Sequence, residues 1–429
     1  MSAKHIFLAV SRIKSKMPRM KTLLLLFLAS LAVNASAQDQ HEPMPPASGN
    51  LGVSVSFDSR GQLWRVSVNK GLVQVDVSAD LGKSFAPALT VNPVAQKVAA
   101  AGEARPKIAI AAEGNIYVTW TEALSTPFSG YVWFARSINA GKSFEKAYIV
   151  HQDRAEITHR FDALHVSPDG TISVAWVDKR DLIAAKAAPK PYVGAAIYYA
   201  QSSNKGVSFK PEQKLADSSC ECCRIATTNK ADGSVVALWR HVFAGGERDH
   251  MLGEIPATPK LDPLLTRATY GHWQIDGCPH HGAALASGGE GGNWWGYHLA
   301  YFDGNDNKPG LFYSRMDGVA FASSPAKKFG NNKHQAGHPA LLSAGDKVWL
   351  VWREIEPKAM AAKDAETKTL NTPHKIIGMF SEDGGRSWAT PKLLASSEAK
   401  TDYPQLLRYQ DQVYLAWNTA AEGLRLIAW

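Results

Sequence analysis

Residues 137–144 read SINAGKSF, and three other stretches obey the same rule: SADLGKSF at 78–85, SSNKGVSF at 202–209 and SEDGGRSW at 381–388. Each runs serine, any residue, Asp or Asn, any residue, glycine, any residue, serine, aromatic. The residue types have physical reasons. A short Asp or Asn side chain bonds its own backbone, glycine reaches positive φ, and the aromatic covers the small turn. A second pattern keeps step with the first. The runs GNIYVTW, GTISVAW, GSVVALW, DKVWLVW and DQVYLAW end at Trp120, Trp176, Trp239, Trp352 and Trp417, with YHLAY ending at Tyr301 as a degenerate member. The spacings are 56, 63, 62, 51 and 65 residues. Alternation, β-branched and aromatic enrichment, and a preceding Gly or Asp turn signal make each run a strand.

Each period holds four short strands: an apolar one such as RPKIAIA, the tryptophan strand, one like YVWFARS, and a last one after the S-x-D-x-G turn. Helical periodicity is nearly absent. A four-stranded unit repeated at 50 to 65 residues predicts an all-β fold, a β-propeller of antiparallel blades. Seven units begin near residues 51, 105, 160, 222, 280, 337 and 402, and residues 51–429 form one propeller domain. The last unit has room for only three strands, so closure must borrow a strand or leave that blade short.

These turns resemble the Asp boxes of the sialidase superfamily, the BNR-repeat proteins, and the resemblance covers essentially all of the chain after residue 50. It implies a propeller and leaves activity open, because that superfamily includes glycosidases, lectin-like modules and scaffolds. Sialidases have six blades, so a six-bladed fold stands as the alternative to the seven units counted.

The N-terminal stretch MKTLLLLFLASLAVNASAQ, residues 20–38, has a basic start, a short apolar run and a small-residue A-S-A site. That is the pattern of a secretory signal peptide spanning residues 1–37, with Met20 as a possible start, followed by a flexible polar leader at 38–50. The expectation is export to the periplasm or the extracellular space, with no membrane span. Six basic and no acidic residues fall in the first 37 positions, so the formal charge of +8 drops to 8 − 6 = +2 for the rest. Nothing in that balance points to nucleic acid. A small molecule or glycan is the expected partner, and the sequence does not specify an oligomeric state.

In a propeller the starts of the first strands and the loops after the tryptophan strands gather at one mouth of the central channel, and the S-x-D-x-G turns lie at the other. That geometry collects Arg105, Arg160, Asp162, Arg224, His280, His281 and Tyr403 with Asp178, Arg180, Arg240, Arg353 and Glu354. Arginines hold a carboxylate bidentately, although an arginine at a strand end also serves to bond carbonyls or neighbouring acids. The sialidase resemblance implies an arginine triad, a tyrosine nucleophile activated by a glutamate, and an aspartate acid/base. Carried across, Arg105 matches the early arginine of the triad, with Arg240 and Arg353 as the other two. Tyr403 and Glu354 become nucleophile and activator, Asp162 or Asp178 the acid, and Arg160, Arg180 and Arg224 further substrate contacts.

The cysteines form a separate signal. Cys220, Cys222 and Cys223 lie in CECC and Cys278 in CPHH, beside His280 and His281. Three states are open. Two disulfides have three possible connectivities, with at least one bridge inside CECC. Thiolates and imidazoles together suit copper or zinc. Free or redox-active thiols, as in a redox protein, are the third. A non-enzymatic propeller that binds a ligand through the same basic mouth remains an alternative to a glycosidase.

Overall fold

The computed structural model describes residues 51–429 apart from 101, 189–190, 231, 257–261, 290–295, 306–308, 318–321, 332 and 356–372. The signal-like segment 1–37, the leader 38–50 and most of the insertion after Glu354 lie outside the described residues.

Seven antiparallel sheets follow one another along the chain. Their first strands are Ser54–Phe57, Lys107–Ile110, His159–Val166, Ala226–Asn229, Ala284–Gly288, Gly337–Ala344 and Gln405–Tyr409. Each first strand touches the next and the last touches the first, so the seven form a closed ring around an axis. The protein is a seven-bladed β-propeller. The six-bladed alternative does not apply.

The second strands explain why the tryptophan runs read as nearly continuous apolar sequence. A blade's second strand is covered on both faces by its neighbours, and Ile172–Asp178 and Val235–Arg240 are buried at every position. Trp120, Trp176, Trp239, Trp352 and Trp417 are among the largest fully buried side chains. The outermost strands meet solvent, as at Lys392–Ser397.

Each S-x-D-x-G turn links the third and fourth strands as a closed hydrogen-bonded unit. In the second blade Ser137 Oγ donates to Asn139 Oδ1 at 2.9 Å, and the amides of Gly141 and Ser143 donate to Ser137 Oγ and Asn139 Oδ1 at 3.0 and 3.1 Å. Gly141 has a φ of +74°, and a Cβ there would fall 2.2 Å from the Trp64 ring of the preceding blade. The glycine thus serves the turn and the seam between blades.

The seventh sheet has three strands among the described residues, Gln405–Tyr409, Gln412–Thr419 and Gly423–Ala428. Side chains close the ring there. Asp402 accepts the amide of Val53 at 3.2 Å and Nη1 of Arg105 at 2.9 Å, and Gln405 Oε1 accepts the amide of Val55 at 3.3 Å. Val55, Leu63 and Ala416 pack beneath them. Among the described residues one α-helix, Arg180–Ala187, occupies the loop after the third blade's second strand. Among the described residues no helix is long and apolar enough to cross a membrane.

Candidate functional site

Two first strands carry bulges that re-aim their opening residues. In the third blade the register shifts between Ala175 and Val177, and Phe161 takes a φ of 55°. In the sixth it shifts after Gly337, and His338 takes a φ of 52°. Left-handed backbone at a non-glycine residue costs free energy and marks places where a side chain is directed. His338 is directed into the mouth.

There it belongs to a continuous stack of rings. His281 lies over Phe302 at 4.2 Å between centroids and over His338 at 4.7 Å, and His338 lies over Tyr403 at 3.7 Å and 11°. Arg353 covers the Tyr403 ring at 4.7 Å. Behind the stack sits Glu103, whose carboxylate accepts from His338 Nδ1 at 3.0 Å and from the Arg224 amide at 3.2 Å. A cleft of about 470 Å³ opens in front, lined by His280, His281, His334, His338, Arg353 and Tyr403 among others.

Burial sets the protonation of this group. It pushes the Tyr403 phenol up to about 12, with Arg353 opposing, so Tyr403 is a proton donor at neutral pH. It lowers His338 to about 4 in spite of the Glu103 hydrogen bond, so that imidazole is neutral. Desolvation would raise Glu103, but the Arg224 charge and the His338 hydrogen bond hold it well below the usual carboxylate range. A carboxylate only accepts, so Nδ1 of His338 carries the proton and Nε2 is left as the basic atom.

The arginines divide sharply. Arg224 donates to the carbonyls of Ala283 and Pro339 at 3.1 and 2.6 Å and pins three blades together. Arg240 donates to the carbonyls of Arg248, His281 and Phe302. Arg105 belongs to the ring closure, and Arg180 is held by Asp178 and Glu212. Arg160 reaches the Phe128 carbonyl at 3.4 Å and covers Phe161. Arg353 differs. Its Nε lacks a hydrogen-bond partner, as do those of Arg160 and Arg240, but its guanidinium donates to no backbone carbonyl and pairs with no carboxylate at ion-pair distance among the described residues, and Tyr403 is its side-chain neighbour. Burial depresses its pKa, so the charge is held at a cost.

The acids chosen from the sequence have structural partners. Asp178 accepts the Trp176 indole N–H and His159 Nδ1, each at 2.8 Å. Glu354 does the same two residues after Trp352, accepting that indole at 2.8 Å together with His334 Nδ1 and the Asn331 amide at 3.0 Å. Asp162 takes the hydroxyls of Thr119 and Thr121 and faces Lys107 at 3.7 Å. The carboxylates that act on Tyr403 are Glu103 and Asp402. Glu103 escaped the sequence analysis although it lies two residues before Arg105, at the same mouth.

Cys220, Cys222 and Cys223 occupy the link between the third and fourth blades, and all four cysteines are free thiols. Cys278 lies on the link between the fourth and fifth, and His280 and His281 continue from it into the cleft wall.

The architecture and its turns define the class as an Asp-box propeller. No family model matches the chain, and no curated protein matches it. Among solved structures the chain is similar to a Hadza microbial sialidase, Hz136, at 12% identity over 86% of this chain and 73% of that one, with a TM-score of 0.43. It is also similar to a PL25 ulvan lyase, a polysaccharide lyase bound to a GlcA–Rha3S saccharide, at 10% identity over 89% and 94% with a TM-score of 0.49. A third is the α-L-arabinofuranosidase Arb93A of Fusarium graminearum, at 13% identity over 74% and 92% with a TM-score of 0.47.

Proposed function

We propose that the cleft binds an anionic, carboxylate-bearing saccharide and cleaves its glycosidic bond, in an exported protein. The observation that carries this is Arg353, a half-buried guanidinium that donates to no carbonyl and pairs with no carboxylate at ion-pair distance among the described residues, facing a cleft whose other wall is aromatic. Sugar rings stack on aromatic faces while a planar guanidinium takes a carboxylate in two parallel hydrogen bonds. In this reading Arg353 anchors the acid group, Tyr403 donates a proton, and His338, oriented by Glu103, accepts one.

The proton-handling pair is thus Tyr403 and His338, in place of Tyr403 and Glu354. Both oxygens of Glu354 are taken by Trp352, Asn331 and His334, and no contact brings them to Tyr403. The signal-like N-terminus supports export.

The test is incubation of the purified protein with a fluorogenic sialoside and, separately, with uronate-containing oligosaccharides, with products resolved by mass. Hydrolysis adds water across the bond, whereas elimination leaves an unsaturated sugar that absorbs in the ultraviolet. Either product supports the reading, and the Tyr403→Phe variant should then bind with turnover lost. Binding without turnover in the parent protein would leave a lectin-like propeller. If acidic saccharides neither bind nor react, the reading fails.

A further inference from the structure

We propose that Cys220, Cys222 and Cys223 form a binding site for one thiophilic d10 cation, Cu(I) or Zn(II). The site is separate from the saccharide cleft and does not rest on its assignment. The three sulfurs form a nearly regular triangle, with separations of 3.7, 3.9 and 4.0 Å. A point equidistant from sulfurs so spaced lies about 2.2 Å from each, against a zinc–thiolate bond of about 2.3 Å. Disulfide partners would stand about 2.0 Å apart and would leave one sulfur out. No pair here is singled out, and all three sulfurs face one centre.

The cluster sits in an apolar core that also holds Phe161, Ile225 and Trp239. The three cysteines are 1%, 4% and 3% exposed, so a charged set needs compensation nearby. Arg160, Arg240 and Arg248 lie around the cluster. Three thiolates on a monovalent ion carry a net charge of −2, which cations at that range offset. The backbone holding the cluster is pinned, with the Cys220 amide on the Arg240 carbonyl at 2.9 Å. A Cβ on neighbouring Gly194 would lie 2.3 Å from the Ser219 carbonyl oxygen.

Coordination number separates the two ions. Cys278 interacts with the sulfurs of Cys220 and Cys222 but stands outside the mutually close trio. A trigonal three-thiolate set suits Cu(I) as it stands, whereas tetrahedral Zn(II) needs Cys278 to swing in as the fourth ligand. Arg240 contacts both regions, because it also donates to the His281 carbonyl in the cleft wall at 3.1 Å.

The full exported chain is purified without chelator, its metal content measured, and the stripped protein reloaded anaerobically with Cu(I) or with Zn(II). The expected result is one ion per chain, a sulfur-only shell near 2.3 Å by X-ray absorption, and cluster thiols shielded from alkylation until the ion is removed. Cys222→Ser should abolish stoichiometric loading. Cys278→Ser should retain Cu(I) if three thiolates suffice and lose Zn(II) if a fourth is required. Because the Cys222→Ser variant can fail to fold, absorption on the parent protein decides independently. Oxidised cysteines without metal, a nitrogen or oxygen shell, or thiols that stay reactive under excess ion would each overturn the proposal.

Discussion

Arg353→Gln should separate stability from binding. In the parent protein Arg353 is half-buried, its buried Nε lacks a hydrogen-bond partner, and its fixed contact is the face of Tyr403. Losing the contact costs about 0.5–2 kcal/mol. Removing a buried donor left unsatisfied returns about 1–3 kcal/mol. The two nearly cancel, so the variant should unfold within about 1 kcal/mol of the parent, or be slightly more stable. Binding should respond very differently. Two charge-assisted hydrogen bonds to a carboxylate, at about 1.5 kcal/mol each, amount to roughly 3 kcal/mol, or about a hundredfold in Kd. Arg224→Gln is the control, because its guanidinium is satisfied by Ala283, Pro339 and Glu103. Leaving Glu103 buried without that charge should cost about 3–5 kcal/mol. Urea unfolding gives the stabilities, and calorimetric titration with N-acetylneuraminate or glucuronate gives the affinities. A destabilised Arg353→Gln with unchanged affinity would show that this arginine is structural and would refute the reasoning.

Glu103→Gln tests positioning in place of contact. It keeps an acceptor for His338 Nδ1 but removes the negative charge that raises the His338 pKa, so the acidic limb of the rate profile should move to lower pH, a shift that a merely structural role would not produce. Asp402→Ala should loosen the ring at its short blade by about 3–5 kcal/mol by stranding buried Arg105, read as a lower urea midpoint. Acid should destabilise the fold. His151, His298 and His338 are lowered by burial to about 3, 3 and 4, so the unfolded chain binds their protons more readily. Stability should therefore fall from about pH 6.5 downwards, by up to about 3 kcal/mol for His338 alone once pH 4 is reached. Asp402 works the other way, since burial raises it to about 6, so the urea midpoint should fall less steeply than the histidines alone dictate.

The propeller was legible because its signals are local. An S-x-D-x-G turn needs only the residues it contains, and a strand covered on both faces is apolar along its length. Convergence at the mouth followed from topology, and Tyr403, Arg353 and His281 line one cleft. The roles of individual residues were hidden by long-range partners. Arg240 and Arg353 look alike in sequence. Arg240 donates to the carbonyls of His281 and Phe302, which lie outside its own blade, whereas Arg353 donates to no carbonyl among the described residues. Asp178 and Glu354 did carry a signal, since each stands two residues after a strand tryptophan and so shares its face. Their carboxylates serve the indole. Glu103 carries no repeat signal of its own, because it lies in the bend before the strand Lys107–Ile110.

A crystal soaked with a sialate or uronate monosaccharide tests the central claim most directly. The account predicts density in the cleft with the carboxylate in two parallel contacts to Arg353 and the sugar ring against Tyr403 and His338. Sugar bound instead at the Asp-box end of the channel, or in the cleft with its carboxylate turned away from Arg353, would contradict it.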